Sequence, residues 1–463
     1  MCGIFGIANK NGRKRKDVFL QIILGIYDLN HRGPQGCGIA IFDGKDINYY
    51  RNEGFVAQTF SEQRRKVLSK KMKGNFGIGH TLYSTVGRKG QKKQTRTFQP
   101  LLAKFHGETF ALAHNGNIYD LLELRQKAKK AGYKFKSEVS DTEVIVALLA
   151  TSKKTDFIEA LKEVLPMLKG AFALVILYKD KVIGVRDKCG IRPLCVGHNE
   201  DSFILASETC AFYTLGAKPI RQIQPGEIVV LSEKGIEKSF KWTKDACCKF
   251  CIFELIYFAR PDSRFQNPVY SYRDNAGAIL AKEAPVDVDI VVPVPESGRI
   301  YDDAFASAQG LTVKEGLFRN RHLVDKTFLT TRETDRRQLQ RRKMHPLKRV
   351  IFDKRLCLIE DSLVRGSVCP ETVSMCREAG ATEVHVRIFS SPIRHPCYYG
   401  IDMATEKELV AANYTVSEIR DLVGADSLEY LSLDGMIQAT GLPKEQLCLG
   451  CFTGEYPVEP PKE

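Results

Sequence analysis

The hydrophobic pattern changes character near residue 240, and this change limits the folds open to the chain. Before it, short strand-like runs alternate with glycine and polar turns, and segments 17–31 and 140–152 have helical spacing. After about residue 250, continuous apolar runs such as IVVPVP and RLCLIE alternate with helical segments, the βαβ pattern of a buried parallel sheet. The sequence therefore predicts an α+β layered domain over 2–240, a doubly wound α/β domain over 241–453 and a disordered tail at 454–463.

The composition is that of a globular protein with full-sized cores. The 463 residues are 43% hydrophobic and 27% charged, and no apolar run reaches the length of a membrane span. The N-terminal apolar segment is interrupted by Gln21, Gly25 and Asp28, so it is not a signal peptide. With 14 cysteines, this predicts a reducing, cytoplasmic location. The net charge of +14 favours polyanionic partners, either phosphorylated small molecules or nucleic acid.

The chain begins Met1-Cys2-Gly3, and removal of Met1 would leave a thiol and a free α-amine on one residue. An α-amine has a pKa of about 7.7–8 and a free thiol about 8.5, so at neutral pH the amine can take the thiol's proton. The terminal residue would then be a nucleophile with its own base. A Met-Cys start also occurs without any role, so this position needs support from other motifs.

The dipeptide Asn115-Gly116 follows the strand-like run FALAH. An asparagine amide beside a glycine N–H offers two hydrogen-bond donors that could face a developing oxyanion. The same dipeptide is typical of an ordinary hairpin turn, which is the interpretation that these two residues alone favour.

The string EDSLVRGS, residues 360–367, stands between an apolar strand and a helix. Its two adjacent carboxylates suit the ribose hydroxyls and the Mg²⁺ of a sugar pyrophosphate. Its glycine lets backbone N–H groups close around a phosphate at a helix N-terminus, which favours anions. A plain strand-to-helix turn with a capping serine is the alternative, and the full string favours the phosphate site.

Four cysteines stand apart from the others by their context. Cys448 and Cys451 form a C-x₂-C pair, while Cys251 and Cys397 lie beside the segments FELIYFARPDS and RHPCYYG. Thiolates at such spacing serve iron–sulfur clusters, zinc sites or redox dithiols, and the spacing alone does not choose among them. The remaining cysteines are expected to fill core positions.

Long motifs of the N-terminal half occur in the same order as in class II glutamine amidotransferases. They are MCGIFGI, HRGPQGCGIA, GHTLYST, AHNGNI, SDTEV, RDKCGIRPL and ASETCAF. The motifs IYFARPDS, VPVPES, IEDSLVRGS and SPIRHPCYYGID extend the resemblance, over essentially the whole chain, to the glutamine phosphoribosylpyrophosphate amidotransferase family. The resemblance implies an N-terminal nucleophile αββα sandwich followed by a doubly wound type I phosphoribosyltransferase domain.

The resemblance also implies a reaction. Glutamine would be hydrolysed at Cys2, and the ammonia would displace pyrophosphate from 5-phosphoribosyl pyrophosphate to give 5-phosphoribosylamine, the first step of de novo purine synthesis. Asn115 and Gly116 would be the oxyanion donors, and Asp141 would hold the α-ammonium of glutamine. Purine nucleotides as feedback ligands and a homo-oligomer are further implications, with no nucleic-acid or membrane partner.

In the second domain the resemblance implies three sets of site residues. Phosphoribosyl pyrophosphate would be bound by Glu360, Asp361, Ser362, Arg365, Gly366, Ser367 and Lys326. Mg²⁺ would be held by Ser297, Glu360 and Asp361, and a [4Fe–4S] cluster by Cys251, Cys397, Cys448 and Cys451. The basic run 336–343 has the place of the family's flexible catalytic loop; a solvated helix face is the alternative, and the lack of interleaved aromatics argues against nucleic acid.

Four positions depart from the family pattern, one of them Lys326, which stands where the family tends to have an arginine. Leu82 replaces an arginine that grips the glutamine α-carboxylate, a loss of about 1.5–3 kcal/mol unless Arg32 or Arg88 takes its place. Glu360 replaces an aspartate, and Val368 replaces a second hydroxyl residue. These departures motivate an alternative function, a non-catalytic relative that senses phosphoribosyl pyrophosphate or nucleotides.

Overall fold

The computed structural model describes residues 1–10, 17–83, 98–296, 298–320, 340–403 and 405–461. Its strands, in chain order, are β1 Gly3–Asn9, β2 Gly36–Phe42, β3 Ile47–Glu53, β4 Phe76–Leu82, β5 Leu101–Phe105, β6 Glu108–Tyr119, β7 Lys169–Tyr178, β8 Lys181–Arg186, β9 Cys195–His198, β10 Ser202–Ala206, β11 Lys218–Gln222, β12 Glu227–Ser232, β13 Gly235–Lys241, β14 Phe250–Cys251, β15 Ile290–Pro293, β16 Leu317–Arg319, β17 Met344–Pro346, β18 Arg355–Glu360, β19 Glu383–Ile388, β20 Ser427–Tyr430 and β21 Leu447–Cys448.

The helices are α1 Val18–Asp28, α2 Val56–Thr59, α3 Glu62–Leu68, α4 Leu121–Lys130, α5 Asp141–Ala150, α6 Phe157–Val164, α7 Cys210–Tyr213, α8 Val269–Glu283, α9 Tyr301–Gln309, α10 Lys348–Ile351, α11 Cys369–Glu378, α12 Val410–Asn413, α13 Val416–Val423, α14 Leu433–Thr440 and α15 Gly450–Thr453. A π-helical turn, Glu254–Phe258, follows β14. No helix in the described part of the chain combines the length and the apolar character that crossing a bilayer requires.

Two antiparallel sheets stack face to face in the N-terminal half. One has the strand order β11-β9-β10-β1-β4-β2-β3, and the other has the order β13-β12-β8-β7-β6-β5. Buried apolar side chains such as Ile4, Val175 and Leu205 fill the space between them. Helix α1 covers the first sheet, and α5 and α6 cover the second, so the layers run α, β, β, α. The predicted N-terminal nucleophile sandwich is confirmed.

Glycines in β4 allow α1 to lie close to the first sheet. A Cβ atom at Gly77 would lie 2.5 Å from Ile22 Cδ1, and one at Gly79 would lie 2.5 Å from Ile26 Cγ2. The helix begins after Asp17, whose carboxylate accepts a hydrogen bond from Phe19 N at 3.0 Å. The run FGIGH therefore positions a helix against the strand that ends beside the terminal cysteine.

A parallel sheet of order β15-β18-β19-β20 forms the core of the second domain. Its first three strands are the apolar runs predicted from sequence, and α9 and α11 follow them as expected. The doubly wound prediction is confirmed. Strand β20 was not predicted, because its sequence SLEY has a single fully buried side chain, Leu428, and no continuous apolar run.

Two further differences from the sequence-based expectation concern edges and the tail. In the N-terminal half, strands β3, β5, β9 and β11 were not predicted. Strands β3, β5 and β11 lie at sheet edges, where polar residues are tolerated, and β9 has only four residues. The tail was expected to be disordered, but its described residues 454–461 lie against both domains. Tyr119 Oη donates to the Glu459 carbonyl at 2.7 Å, and Val458 N donates to Tyr399 Oη at 3.0 Å. The polar composition of the tail did not indicate these contacts, because their partners are distant in sequence.

Candidate active site

Cys2 lies immediately before β1, and strands β4 and β6 bring its partners to it. The Cys2 nitrogen donates to Asn115 Oδ1 at 3.2 Å, and the Cys2 thiol donates to the Tyr83 carbonyl oxygen at 3.7 Å. Gly3 N donates to Thr81 Oγ1 at 3.2 Å, which anchors the start of the strand. The fold thus joins Cys2 and Asn115, two residues that the sequence analysis assigned to one site.

Asn115 uses only one end of its side-chain amide. Its Oδ1 accepts from Cys2, whereas its Nδ2 is buried and has no hydrogen-bond partner among the described residues. Asn115 and Gly116 lie inside β6, paired with β7, so they do not form the hairpin turn considered as the alternative. A Cβ at Gly116 would lie 2.0 Å from the Ala171 carbonyl oxygen, so only glycine fits there. An oxyanion hole needs a buried donor of this kind.

Asp141 is the first residue of α5 and lies beside the same strand. Its Oδ2 accepts from Ile118 N at 3.2 Å, and its Oδ1 accepts from Thr142 N at 2.6 Å. His114 Nδ1 is 3.7 Å from Oδ2, and the Asp141 side chain remains 21% exposed. The carboxylate is therefore fixed in orientation with one edge accessible, an arrangement that can bind an ammonium group.

Buried ion pairs around Arg32 hold the backbone of Cys2 in place. This network was not predicted from the sequence. Arg32 Nε donates to the Cys2 carbonyl at 3.0 Å, and its guanidinium pairs with Glu208 at 2.5 Å and Glu254 at 2.9 Å. All three charged side chains are fully buried. Burial opposes ionisation of Glu208, but His31 and Arg32 outweigh it and hold its pKa well below the ordinary value.

Position 82 is apolar in structure as well as in sequence. Leu82 is the last residue of β4, pairs with Gly36 of β2 and is 8% exposed. Arg32 is committed to Cys2 and two carboxylates, so it does not replace the missing arginine. The other candidate, Arg88, lies outside the described residues.

The acidic pair of the second domain lies at the carboxyl end of β18. Glu360 is the last residue of that strand, and its Oε2 is buried without a hydrogen-bond partner in the described ranges. Burial, and then the neighbouring Asp361, raise the pKa of Glu360 well above its ordinary value. Ser362 Oγ donates to Asp361 Oδ1 at 2.5 Å. Two crowded carboxylates at a strand end form a site that a cation would stabilise.

The loop after this pair leads directly into α11. Gly366 has φ +65°, a left-handed conformation that favours glycine, and helix α11 begins after Val368. Val368 is 41% exposed and makes no side-chain cap, as expected from its missing hydroxyl. Arg365 donates to the Glu408 carboxylate at 2.7 Å and to the Asp402 carbonyl at 2.9 Å. Ser367 lies in this loop, whereas Ser297, Lys326 and residues 336–339 of the basic run lie outside the described residues.

Tyr83 and Tyr257 have electrostatic contacts with residues of the second site, and neither tyrosine was predicted to have a role. Tyr83 accepts from Cys2 through its carbonyl, while burial and Asp402 of the second domain raise the pKa of its phenol. The pKa of Tyr257 is raised to about 12 by withdrawal of its hydroxyl from water and by Asp361, with Tyr83 adding to the rise. The two phenols therefore lie within electrostatic range of carboxylates of the second domain. Tyr257 lies in the quoted motif IYFARPDS, which is its only sequence signal.

The four predicted cluster cysteines come together from three separate segments. Cys251 and Cys448 are opposite each other in the parallel pair β14–β21. Burial, followed by Cys397, Cys251 and Cys448, raises the pKa of Cys451 well above its ordinary value. Among the described residues, no group of three or more His, Cys, Asp or Glu is arranged to hold a single metal ion.

Comparison with known proteins identifies the family of the chain. A sequence profile described as a glutamine amidotransferase domain matches residues 89–214. The amidophosphoribosyltransferase of Methanocaldococcus jannaschii is 42% identical over 476 aligned positions, covering 99% of this chain and 98% of that protein. The chain belongs to the amidophosphoribosyltransferase family. The Bacillus subtilis amidophosphoribosyltransferase is 38% identical, with 99% of this chain and 94% of that protein covered.

Solved structures of the family share the whole fold. The glutamine phosphoribosylpyrophosphate amidotransferase of B. subtilis, complexed with ADP and GMP, superposes with a TM-score of 0.89 at 37% identity, over 99% of this chain and 98% of that one. A structure described as the allosteric regulatory enzyme of purine biosynthesis also has a TM-score of 0.89, at 38% identity and with 99% and 96% covered. The resemblance, the two-domain fold and the enzyme class predicted from sequence are confirmed.

Proposed function

We propose that this chain is a glutamine-dependent amidophosphoribosyltransferase that makes 5-phosphoribosylamine for purine synthesis. The observation that carries the proposal is the pairing of Cys2 with Asn115, at 3.2 Å, beside a buried amide donor that has no partner among the described residues. The neighbouring carboxylate pair at the end of β18 supplies the second site. Nothing in the comparisons favours the alternative of a non-catalytic sensor.

At the first site, Cys2 is the proposed nucleophile. With Met1 removed, the Cys2 α-amine takes the thiol proton, and Sγ attacks the side-chain amide carbon of glutamine. Asn115 Nδ2 and Gly116 N–H donate to the oxyanion, while Asp141 holds the α-ammonium. The Cys2 α-ammonium gives its proton to the amide nitrogen of glutamine, which leaves as ammonia when the carbon–nitrogen bond breaks. Water then hydrolyses the glutamyl thioester and regenerates the thiol.

Removal of Met1 must precede folding in this scheme. Met1 is 1% exposed, and burial lowers the pKa of its amine to about 5. An aminopeptidase needs an accessible terminus, and the small side chain of Cys2 permits cleavage during synthesis. The freed amine then lies where the Cys2 nitrogen already meets Asn115 Oδ1.

At the second site, Glu360 and Asp361 are proposed to bind the ribose hydroxyls of phosphoribosyl pyrophosphate. The loop Ser362, Arg365, Gly366 and Ser367 would hold the 5′-phosphate at the N-terminus of α11, with Lys326 on the pyrophosphate. Glu360 Oε2, which is buried without a hydrogen-bond partner in the described part of the chain, and the raised pKa of that carboxyl fit a bound cation. Mg²⁺, with Ser297 as a further ligand, would neutralise charge on the leaving pyrophosphate.

The four clustered cysteines are proposed to hold a [4Fe–4S] cluster. Four soft thiolates suit such a cluster, and each would bind a different iron, so they need not converge on one ion. Arg192 is fully buried, pairs with Glu254 and would offset negative charge of the thiolates of Cys251, Cys397 and Cys448 if they held a cluster. The cluster would tie the C-terminal segment to both domains, a structural role.

Ammonia is proposed to pass between the sites along the interface marked by Tyr83 and Tyr257. Tyr83 is half-buried and Tyr257 is 48% exposed, and the phenol of each lies within electrostatic range of carboxylates of the second site. An enclosed path matters chemically, because ammonia protonates in water and is then no longer a nucleophile. Purine nucleotides are proposed as feedback ligands, since the related B. subtilis structure is described as a complex with ADP and GMP; a homo-oligomer and a cytoplasmic location complete the proposal.

The test compares nitrogen sources. Pyrophosphate release from phosphoribosyl pyrophosphate should occur with ammonium and, at a lower efficiency because of Leu82, with glutamine. Intact mass should show loss of Met1 from the active protein. Release with ammonium but not glutamine would confine the defect to the first site, whereas no release with either source would contradict the enzyme proposal and support the sensor.

A further inference from the structure

Two cysteines outside the proposed cluster lie side by side where the first domain joins the second. Burial, and then the neighbouring Cys247 side chain, raise the pKa of the Cys189 thiol well above its ordinary value. Cys189 is 1% exposed and lies in a loop after β8, whereas Cys247 is exposed and lies between β13 and β14. The mechanism proposed above uses neither residue.

Backbone hydrogen bonds hold the two segments together. Cys247 N donates to the Lys188 carbonyl at 2.9 Å, and Lys249 N donates to the Cys189 carbonyl at 2.7 Å. Because these two bonds join residues at and beside both cysteines, the two backbones lie alongside each other there. A disulfide needs a Cα separation of about 4.4–6.8 Å. The neighbouring Cys248 has other partners, because its thiol contacts the Gln446 carbonyl at 3.9 Å and Gln266 Nε2 at 3.6 Å.

We propose that Cys189 and Cys247 form a redox-active dithiol that a low-molecular-weight disulfide converts reversibly into an intramolecular disulfide. The exposed Cys247 sulfur, as thiolate, attacks the small disulfide, which forms a mixed disulfide and releases one small thiol. Cys189 then loses its proton to solvent, and its sulfur attacks the Cys247 sulfur and releases the second small thiol. The two cysteines lose two electrons and two protons, and the small disulfide gains both.

The bond would tie the domain junction to the loop that carries Arg192. That loop begins with Asp187, whose carboxylate accepts from Cys189 N at 2.9 Å, and Arg192 contacts Glu254 at 3.3 Å and the Tyr399 carbonyl at 2.7 Å. The oxidised protein should therefore keep the native fold and unfold at a higher urea concentration than the reduced protein.

The experiment treats the full-length protein with glutathione disulfide, blocks free thiols with N-ethylmaleimide and maps peptides by mass spectrometry. The wild type should give one cross-linked peptide pair, joining Cys189 to Cys247, that disappears on reduction. Cys248→Ser is the matched control and should keep the cross-link, whereas Cys247→Ser should lose it. Both substituted positions lie outside the proposed catalytic and cluster residues.

Each outcome of this experiment either supports the proposed dithiol or overturns it. A cross-link between Cys189 and Cys247, together with a higher urea midpoint in the oxidised wild type but not in Cys247→Ser, supports the proposal. Cys247 recovered only as a mixed disulfide with glutathione, or bonded to Cys248, overturns it. So does a Cys189 that is alkylated as fast in the oxidised protein as in the reduced one.

Discussion

The two candidate sites differ in how their charges are balanced. Around Cys2, every charged group of the supporting network has an opposite charge from the protein itself: Arg32 meets Glu208 and Glu254, and Glu254 also meets Arg192. At the end of β18, Glu360 and Asp361 lie together, and one Glu360 oxygen has no partner among the described residues.

The Cys2 site is therefore complete once the chain has folded, whereas the site at the end of β18 is completed by what binds there. A nucleophile must be aligned before its substrate arrives, and buried ion pairs with several hydrogen bonds keep it so. A site for a polyphosphate and its cation can keep excess negative charge, because the cation neutralises it on binding. Substitutions at the first site should therefore affect glutamine use alone, whereas those at the second should affect both nitrogen sources.

The largest expected effect on activity comes from removing the nucleophile. Cys2→Ala keeps a small second residue, so Met1 is still removed, but it deletes the thiol. We expect glutamine-dependent pyrophosphate release to fall by at least about 10,000-fold, while ammonium-dependent release stays within about twofold of wild type. Parallel assays with both nitrogen sources measure this. A comparable fall with ammonium would contradict the expectation that substitutions at the first site affect glutamine use alone.

Asp361→Asn is the corresponding substitution at the second site. It removes one carboxylate of the crowded pair, and we expect both nitrogen sources to lose about 1,000-fold in pyrophosphate release. Hydrolysis of glutamine to glutamate, measured without the ribosyl substrate, should persist. Asp434→Asn is the matched control, because it removes one carboxylate charge from an exposed residue of the same domain. It should leave pyrophosphate release with ammonium, release with glutamine, and glutamine hydrolysis unaltered.

Asn115→Asp tests the proposed oxyanion donor. The variant keeps an oxygen for the Cys2 nitrogen but replaces the unpartnered Nδ2 donor by an acceptor. We expect glutamine hydrolysis to fall by about 100-fold or more, with ammonium-dependent release preserved. Asn117→Asp, two residues along the same strand, is the matched control, because its amide donates instead to the Tyr398 carbonyl at 2.8 Å. Equal loss in both variants would contradict the assignment.

Sequence alone could predict the features that depend on local pattern. The apolar runs before Glu360 located the buried strand and its carboxyl end, and Cys2 was recognisable by position. The support of Cys2 could not be predicted, because Arg32 reaches Glu208 and Glu254 across 176 and 222 positions of sequence. Both glutamates lie in quoted motifs, but a glutamate in a motif shows no partner until the fold supplies it.

Leu82→Arg tests the departure at the first site. Arginine there could bind the glutamine α-carboxylate with a charge-assisted contact, so we expect KM for glutamine to fall by about 10–100-fold. Ammonium-dependent release should not change. Leu82→Met, which keeps the site apolar at similar volume, controls for repacking. An unchanged KM in the arginine variant would show that this chain grips the carboxylate elsewhere.

The smallest expected effect is a pH dependence of stability that has opposite signs at the two sites. The pKa of Glu208 is held below its ordinary value of 4.5, so its contribution is present above about pH 4.5 and is lost as the pH falls further. The pKa of Glu360 is raised above 4.5, so its contribution is present below that pH and is lost as the pH rises. Glu208→Gln should therefore flatten the acid limb of a urea-midpoint curve, and Glu360→Gln should flatten its decline at higher pH, each by on the order of 1 kcal/mol. The slopes are compared rather than the absolute stabilities, because Glu208→Gln also weakens the pairing of Arg32. If both variants changed the same limb, the contrast between a charge-balanced first site and an unbalanced second site would be wrong.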